Sequence, residues 1–217
     1  MIIVRYADDF IVGFQHESDA RRFPDTMRER LREFALSLHP EKTRLIEFGR
    51  FAAQNRKRRG LGKPETFNFL GFTFICGKSK RGKFLLRRKS RADRMRAKIR
   101  EVKGQLQRRM HQSIPEQGKW LRQVVAGYFN YHAVPTNTRA LDVFRHRVIV
   151  GWRHVLQRRS QTASLTWQRM RQLANDWLPK PRPLHPWPSV RFAVTHPRWE
   201  PYALIGHVRI CAGGTQQ

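Results

Sequence analysis

The chain has 217 residues, 40% of them apolar, which is enough to bury a core in one or two domains. Its 44 Lys+Arg against 16 Asp+Glu leave +28, a charge that strains a compact fold unless a polyanion offsets it, so nucleic acid is the expected partner and a membrane surface the runner-up. With no run of 18 apolar residues, no basic-then-apolar leader, and only Cys76 and Cys211 outside any C-x-x-C, a membrane span, a signal peptide, a disulfide framework and a zinc module are all disfavoured, and a cytoplasmic location is the default.

The first element is a hairpin. The apolar runs Ile2 to Val4 and Phe10 to Phe14 flank a short polar centre, placing Asp8 and Asp9 at the tip. Adjacent carboxylates repel, and a rigid pair of oxygen ligands suits Mg²⁺, which takes one or two carboxylates and fills its other sites with water and phosphate. Plain turn chemistry is the competing reading, since Asp is common in turns. Ser18 is the expected N-cap of an amphipathic helix carrying Phe23, Met27, Leu31, Phe34 and Leu38 and ending at His39-Pro40. A turn and a short strand follow through Phe48. Residues 50 to 65, with Arg56 to Gly60 at their centre, read as a solvated basic loop able to lie along phosphates. Phe67 to Phe74 reads as a buried strand with Gly71 as a bulge or close approach, and Lys83 to Leu86 as a second strand after a turn at Gly82.

Between Lys78 and Arg109 there are fifteen Lys+Arg and two acids, a local +13. Ser90, with Asp93 three residues on, predicts a capped helix whose Ala92, Met95, Ile99, Val102 and Leu106 share one face. The near absence of acids favours a nucleic-acid groove over a generic surface, with Arg87, Arg88, Lys89, Arg91, Arg94 and Lys98 as candidate contacts. Three further helices are predicted. Trp120, Leu121, Val124, Val125, Tyr128 and Phe129 mark the first; Leu141, Phe144, Val148, Trp152 and Val155 the second; Trp167, Met170, Leu173 and Trp177, capped by Ser164, the third. These aromatic stripes read as core, leaving RNA contacts to Arg and Lys. Seven of twelve prolines fall between Pro179 and Pro201, so that stretch should run extended. His185, His196, His207 and Cys211 match no zinc spacing.

Tyr6-Ala7-Asp8-Asp9 between apolar strands resembles the palm motif of reverse transcriptases, particularly those of group II introns and bacterial retron-like elements. The resemblance implies that Asp8 is a direct metal ligand, with Asp9 beside it at the metal site. Leu36 to Phe48 resembles the next palm motif, which implies that Lys42 lies near an incoming triphosphate, in phosphate contact or proton donation. Phe67 to Phe74 resembles the primer grip, which implies that Leu70 and Gly71 approach a primer end. Gly127 to His132, with Trp120-Leu121 before and Gly151-Trp152 after, is similar to the thumb and maturase domain of group II intron proteins, as is the tail from His196 to Cys211.

The implied fold is α+β: a partial palm, an antiparallel sheet with a helix, over 1–86; a basic thumb helix over 87–115; and a thumb continuation and maturase domain with a Pro-rich tail over 116–217. The implied function is RNA-directed DNA polymerisation with Mg²⁺ plus intron RNA binding for splicing and mobility. The implied partners are group II intron RNA and an RNA template/DNA primer duplex. In that family a third aspartate, on a strand well before the hairpin, completes a two-metal clamp. Only five residues precede Tyr6, so the chain is expected to be inactive alone and to need an upstream polypeptide supplying the fingers and the remaining palm. A non-catalytic RNA-binding splicing cofactor is the alternative. A third reading is a decayed remnant that no longer folds, since a palm lacking its first strands leaves sheet edges unpaired and exposed.

Overall fold

The computed structural model describes residues 1–159, 165–188 and 190, and for 208–213 the backbone alone. The fold is α+β, and it divides into two compact units, one of 1–87 with 192–217 and one of 88–191.

In the first unit, β1 (Ile2–Tyr6) and β2 (Asp9–Phe14) form the expected hairpin, in register from Ile2 opposite Gly13 to Tyr6 opposite Asp9. The helix α1 (Glu17–Arg32) starts and ends earlier than its pattern suggests. His16, not Ser18, is the N-cap, and Ala35 enters the left-handed region at φ 55°, with Leu36 N–H bonding Leu31 O at 2.9 Å. That closure strands Phe34, 60% exposed beneath the Arg30 guanidinium at 5.0 Å. Pro24 sits inside the helix and forgoes one backbone bond. After β3 (Arg44–Phe48), the expected basic loop instead holds the short helix α2 (Ala52–Arg58). Glu47 organises it, pairing with Arg59 and accepting from Asn55 Nδ2 at 3.0 Å.

The stretch from Phe67 to Phe74 is two strands rather than one. β4 (Phe67–Phe69) and β5 (Phe72–Lys78) turn at Leu70-Gly71, where φ is 46° and 74°. Positive φ at both central residues is the type I′ pattern that matches strand twist. Phe67 stacks on Phe74 at 4.9 Å across the pair. The following strand, β6 (Phe84–Ser90), runs longer than its pattern indicated, and the order here is β4-β5-β6.

The other sheet has the order β1-β2-β7-β3. Its fourth strand, β7 (Val208–Gly213), lies antiparallel between β2 and β3, which do not bond each other. The facing sides of β2 and β3 are thus joined through β7, while β1 and β3 remain the edges of this sheet. Val12, Phe14 and Ala20 form one small core of this unit, and Ile46, Phe48, Phe67 and Phe69 another.

The second unit is helical: α3 (Ala92–Arg108), α4 (Ile114–His132), α5 (Thr138–Arg158) and α6 (Trp167–Trp177). Ser90 does not cap α3. It ends β6, 3% exposed, and its N–H donates to Asn137 Oδ1 at 2.9 Å, while Arg91 is the N-cap and pairs with Asp93. The capping box instead opens α4, where Ser113 and Glu116 bond reciprocally. Thr166 caps α6 through Arg169 N–H at 3.3 Å; the expected cap, Ser164, lies outside the described residues, as does the segment from His196 to His207.

The aromatic stripes are core except for Trp167, which is 42% exposed at the start of α6 with the Arg153 guanidinium over its ring. Leu106, Leu121, Leu141, Phe144, Trp152 and Met170 are fully buried together. Gln117, equally buried, ties three elements: its Nε2 donates to the carbonyls of Arg109, Met110 and Gln112 at 3.0 to 3.3 Å, and its Oε1 accepts from Trp152 Nε1 at 2.8 Å. Such complete satisfaction is what makes a buried amide tolerable. Gly118 lets α4 approach α6, since a Cβ there would meet the Trp177 ring at 2.4 Å. From Pro179 to Trp187 the chain has no helix or strand, as the prolines dictate.

Ser90, His132 and Asn137 form a polar knot. Asn137 Nδ2 donates to Ser90 Oγ at 2.8 Å, which lies 3.1 Å from His132 Nδ1. Burial lowers the His132 pKa from the ordinary 6.5 to about 4. The folded state therefore resists protonation that the unfolded chain accepts. The contribution is complete above about pH 6.5 and is lost as pH falls toward 4. Thermal unfolding at pH 7 and pH 4.5 should show a drop in midpoint that an H132Q variant reduces; an equal drop in the variant would assign the effect elsewhere.

Candidate functional site

The hairpin tip is built by a two-residue turn at Ala7-Asp8. Ala7 has φ 52°, a left-handed conformation costing an L-residue roughly 1–2 kcal/mol, and its carbonyl is held by Arg5 Nε at 2.9 Å. Asp8 follows in the turn and Asp9 begins β2; both are exposed. Among the described residues, no group of three or more His, Cys, Asp or Glu side chains is placed to hold a metal. Two exposed carboxylates adjacent in sequence offer oxygen ligands of the kind a divalent cation takes, with water and phosphate at its remaining sites. They do not by themselves make a two-metal clamp.

Lys42 lies in the turn that leads into β3, exposed. The registers locate it relative to the aspartates. Phe10 pairs with Gly213 and Arg44 with Ala212, so β2 and β3 begin at the same end of the sheet with one strand between them. Asp8, Asp9 and Lys42 all precede those starting residues, on strands about 10 Å apart. An anionic substrate at that sheet end would meet carboxylates on one side and an ammonium on the other. Leu70 and Gly71 occupy the tip of the β4-β5 hairpin, a sharper feature than the expected bulge.

The candidate nucleic-acid contacts fall into two groups. Arg87, Arg88 and Lys89 lie along β6. Arg91, Arg94 and Lys98 lie on or just before α3, where Arg91 is paired with Asp93 and Lys98 with Glu101 at 2.8 Å. Arg94, Arg96, Arg100, Lys103 and Arg108 are exposed along the same helix.

Elsewhere arginines do structural work that composition cannot reveal. Arg122 donates to the carbonyls of Asp176 and Trp177, and Arg145 to those of Ala174 and Pro179, all at 2.8 to 3.1 Å. They satisfy the orphan carbonyls at the end of α6, as a helix C-terminus favours. Burial lowers the Arg145 pKa.

One feature of the first unit carried no sequence signal: a cavity of about 630 Å³ lined by Arg50, Phe51, Cys76, Lys78 and Lys83 among others. Its residues come from three separated segments, and only the fold assembles them. Cys76 Sγ accepts from Gly49 N–H at 3.3 Å, and burial pushes its thiol pKa up.

One comparison bears on the first unit. Residues 1–74 match the family "Reverse transcriptase (RNA-dependent DNA polymerase)". The match spans a third of the chain, from β1 to the start of β5, and so takes in the aspartate turn, the Lys42 turn and the Leu70-Gly71 hairpin. This part of the chain is similar to a reverse transcriptase, a polymerase class that depends on divalent metal. The helical unit lies outside the match. A comparison with curated proteins finds no match. Among the described residues, no helix is long and apolar enough to cross a membrane.

Proposed function

We propose that the chain is the C-terminal part of a group II intron reverse transcriptase/maturase, joining a palm segment over 1–86 to basic helices that bind intron RNA for splicing and mobility. The observation that carries this reading is the reverse-transcriptase match over residues that hold Asp8 and Asp9 exposed at a strained tip, with Lys42 at the same sheet end. Asp8 and Asp9 would hold Mg²⁺, which when bound supplies Lewis-acid stabilisation to a phosphoryl group. Lys42 would neutralise charge gathering on the phosphates of an incoming nucleotide, or protonate the leaving group. Leu70-Gly71 would support the primer end, and the cations of β6 and α3 would hold the template and primer backbones.

Two carboxylates fall short of a two-metal clamp, so polymerisation in this reading requires a further acidic strand from an upstream polypeptide. In this reading the further strand would take the position between β2 and β3 that β7 fills here, displacing it. The test is primer extension on an RNA template with Mg²⁺, using the chain supplemented with a polypeptide that carries fingers and the remaining palm. Extension is expected from the pair, with a loss of at least about a hundredfold in D8N. An undiminished D8N would remove Asp8 from the metal site.

A second reading, an RNA-binding splicing cofactor without catalysis, is favoured by the cation-dense α3 and needs no further strand. A preference for group II intron RNA over an unrelated RNA of equal length, retained at high salt, supports the maturase role in either reading; equal binding to both would sink it.

A further inference from the structure

The Pro-rich strap of the helical unit is anchored to the end of α4. Leu184 N–H donates to Ala133 O at 2.8 Å, and His185 Nε2 lies 2.7 Å from Asn130 O, a contact in which the ring nitrogen must be the donor. Two carbonyls at the helix end are satisfied by the strap, which fixes it in place. Between strap and helix lies a cavity of about 290 Å³, whose walls include Arg88, Tyr131, His185, Pro186 and Pro188. Tyr131 is 54% exposed although it stands in a helix whose other aromatics are largely inside, and its ring is set edge-on to His132 at 4.9 Å. Trp187, between the two wall prolines, is 48% exposed. No acidic residue lines the cavity.

We propose that this cavity is a binding site for an unpaired nucleobase of RNA, with Tyr131 as the stacking face and Arg88 as the phosphate contact. This rests on the reading of the helical unit as RNA-binding and deepens it. Flat aromatic and proline faces offer a base the surface it loses on leaving a helix, and a concave pocket beside an arginine selects single-stranded segments, because paired bases cannot be presented to it. The net positive charge argues for a polyanion rather than a proline-rich peptide as occupant.

The test uses the full chain and two RNAs of equal charge, one a single-stranded oligonucleotide and one a duplex. Tyr131→Ala should weaken single-strand binding roughly tenfold, leave duplex binding and the salt slope unchanged, and leave the circular dichroism spectrum intact. Tyr131→Phe, which keeps the ring, should bind as the parent does. Quenching of tryptophan emission by the single strand, diminished in Trp187→Phe, would support the site directly. Equal losses for both RNAs, a Tyr131→Phe as weak as Tyr131→Ala, or quenching by a proline-rich peptide in place of RNA would overturn the proposal. Failure of the parent chain to bind either RNA would instead refute the RNA-binding reading on which it depends.

Discussion

The affinity of this chain for RNA should fall roughly a thousandfold or more between about 50 and 200 mM salt. The expectation follows from how the charges are spent. Even if each of the 16 acids neutralised one cation, 28 would remain. Many of the acids are already committed locally: Glu17 to Arg21, Asp19 to Arg22, Asp93 to Arg91 and Glu101 to Lys98. The exposed cations of α3 stand on a helix about 25 Å long, enough to track several phosphates. Six to ten phosphate contacts produce a loss of this size through counterion release. Anisotropy titrations across a salt series measure the slope directly. A flat dependence would mean that the excess charge is not presented to the nucleic acid, and the groove reading of β6 and α3 would fall with it.

Trp152→Ala should destabilise the helical unit by about 3–5 kcal/mol. The side chain is fully buried at the centre of the core, and its indole N–H is the donor to Gln117 Oε1. Truncation therefore opens a large cavity and also leaves a buried carbonyl oxygen unmatched in a residue that holds the α3–α4 connection by three further bonds. Trp152→Phe separates the two effects, since it keeps much of the volume and removes the donor; a cost of about 1–3 kcal/mol is expected for it. Urea denaturation followed by far-ultraviolet dichroism reads both. If Trp152→Phe were neutral, Gln117 would be free to find another donor and its role as a tie between helices would be smaller than the geometry suggests.

Much of this was legible in the sequence, and the failures share a cause. The hairpin, the faces of α3 to α5 and the extended proline stretch follow from apolar periodicity and backbone chemistry, which are local. What periodicity misjudged were ends and breaks. The α1 pattern continues through Phe34 and Leu38, yet Ala35 closes the helix first, a choice nothing in the apolar spacing marks. The Phe67–Phe74 run carries four phenylalanines and a leucine around a single glycine, so it reads as one strand and the turn within it at Leu70-Gly71 was hidden. Ser90 and Asp93 carry the letters of a capping box, but Ser90 is taken by Asn137, which is 47 residues away. At the candidate site the sequence named Asp8, Asp9 and Lys42 individually, but their common sheet end depends on β7, whose residues Gly213 and Ala212 pair with Phe10 and Arg44 far earlier in the chain. Neither the cation-lined cavity nor the pocket beneath the strap is contiguous in sequence, and no motif announces either.

The position of β7 bears on the order in which the chain acquires structure during synthesis. The helical unit is continuous from 88 to 191 and can condense once that stretch has left the ribosome. The sheet of the first unit, although most of its strands are made first, cannot join β2 to β3 until residues 208–213 emerge. Until then both strands present unsatisfied backbone along one side, a template for pairing with other chains. The unit whose strands emerge ahead of the helices is thus the one that waits longest to close its sheet, and a ligand or chaperone that shields that open side is expected to raise the yield of folded protein.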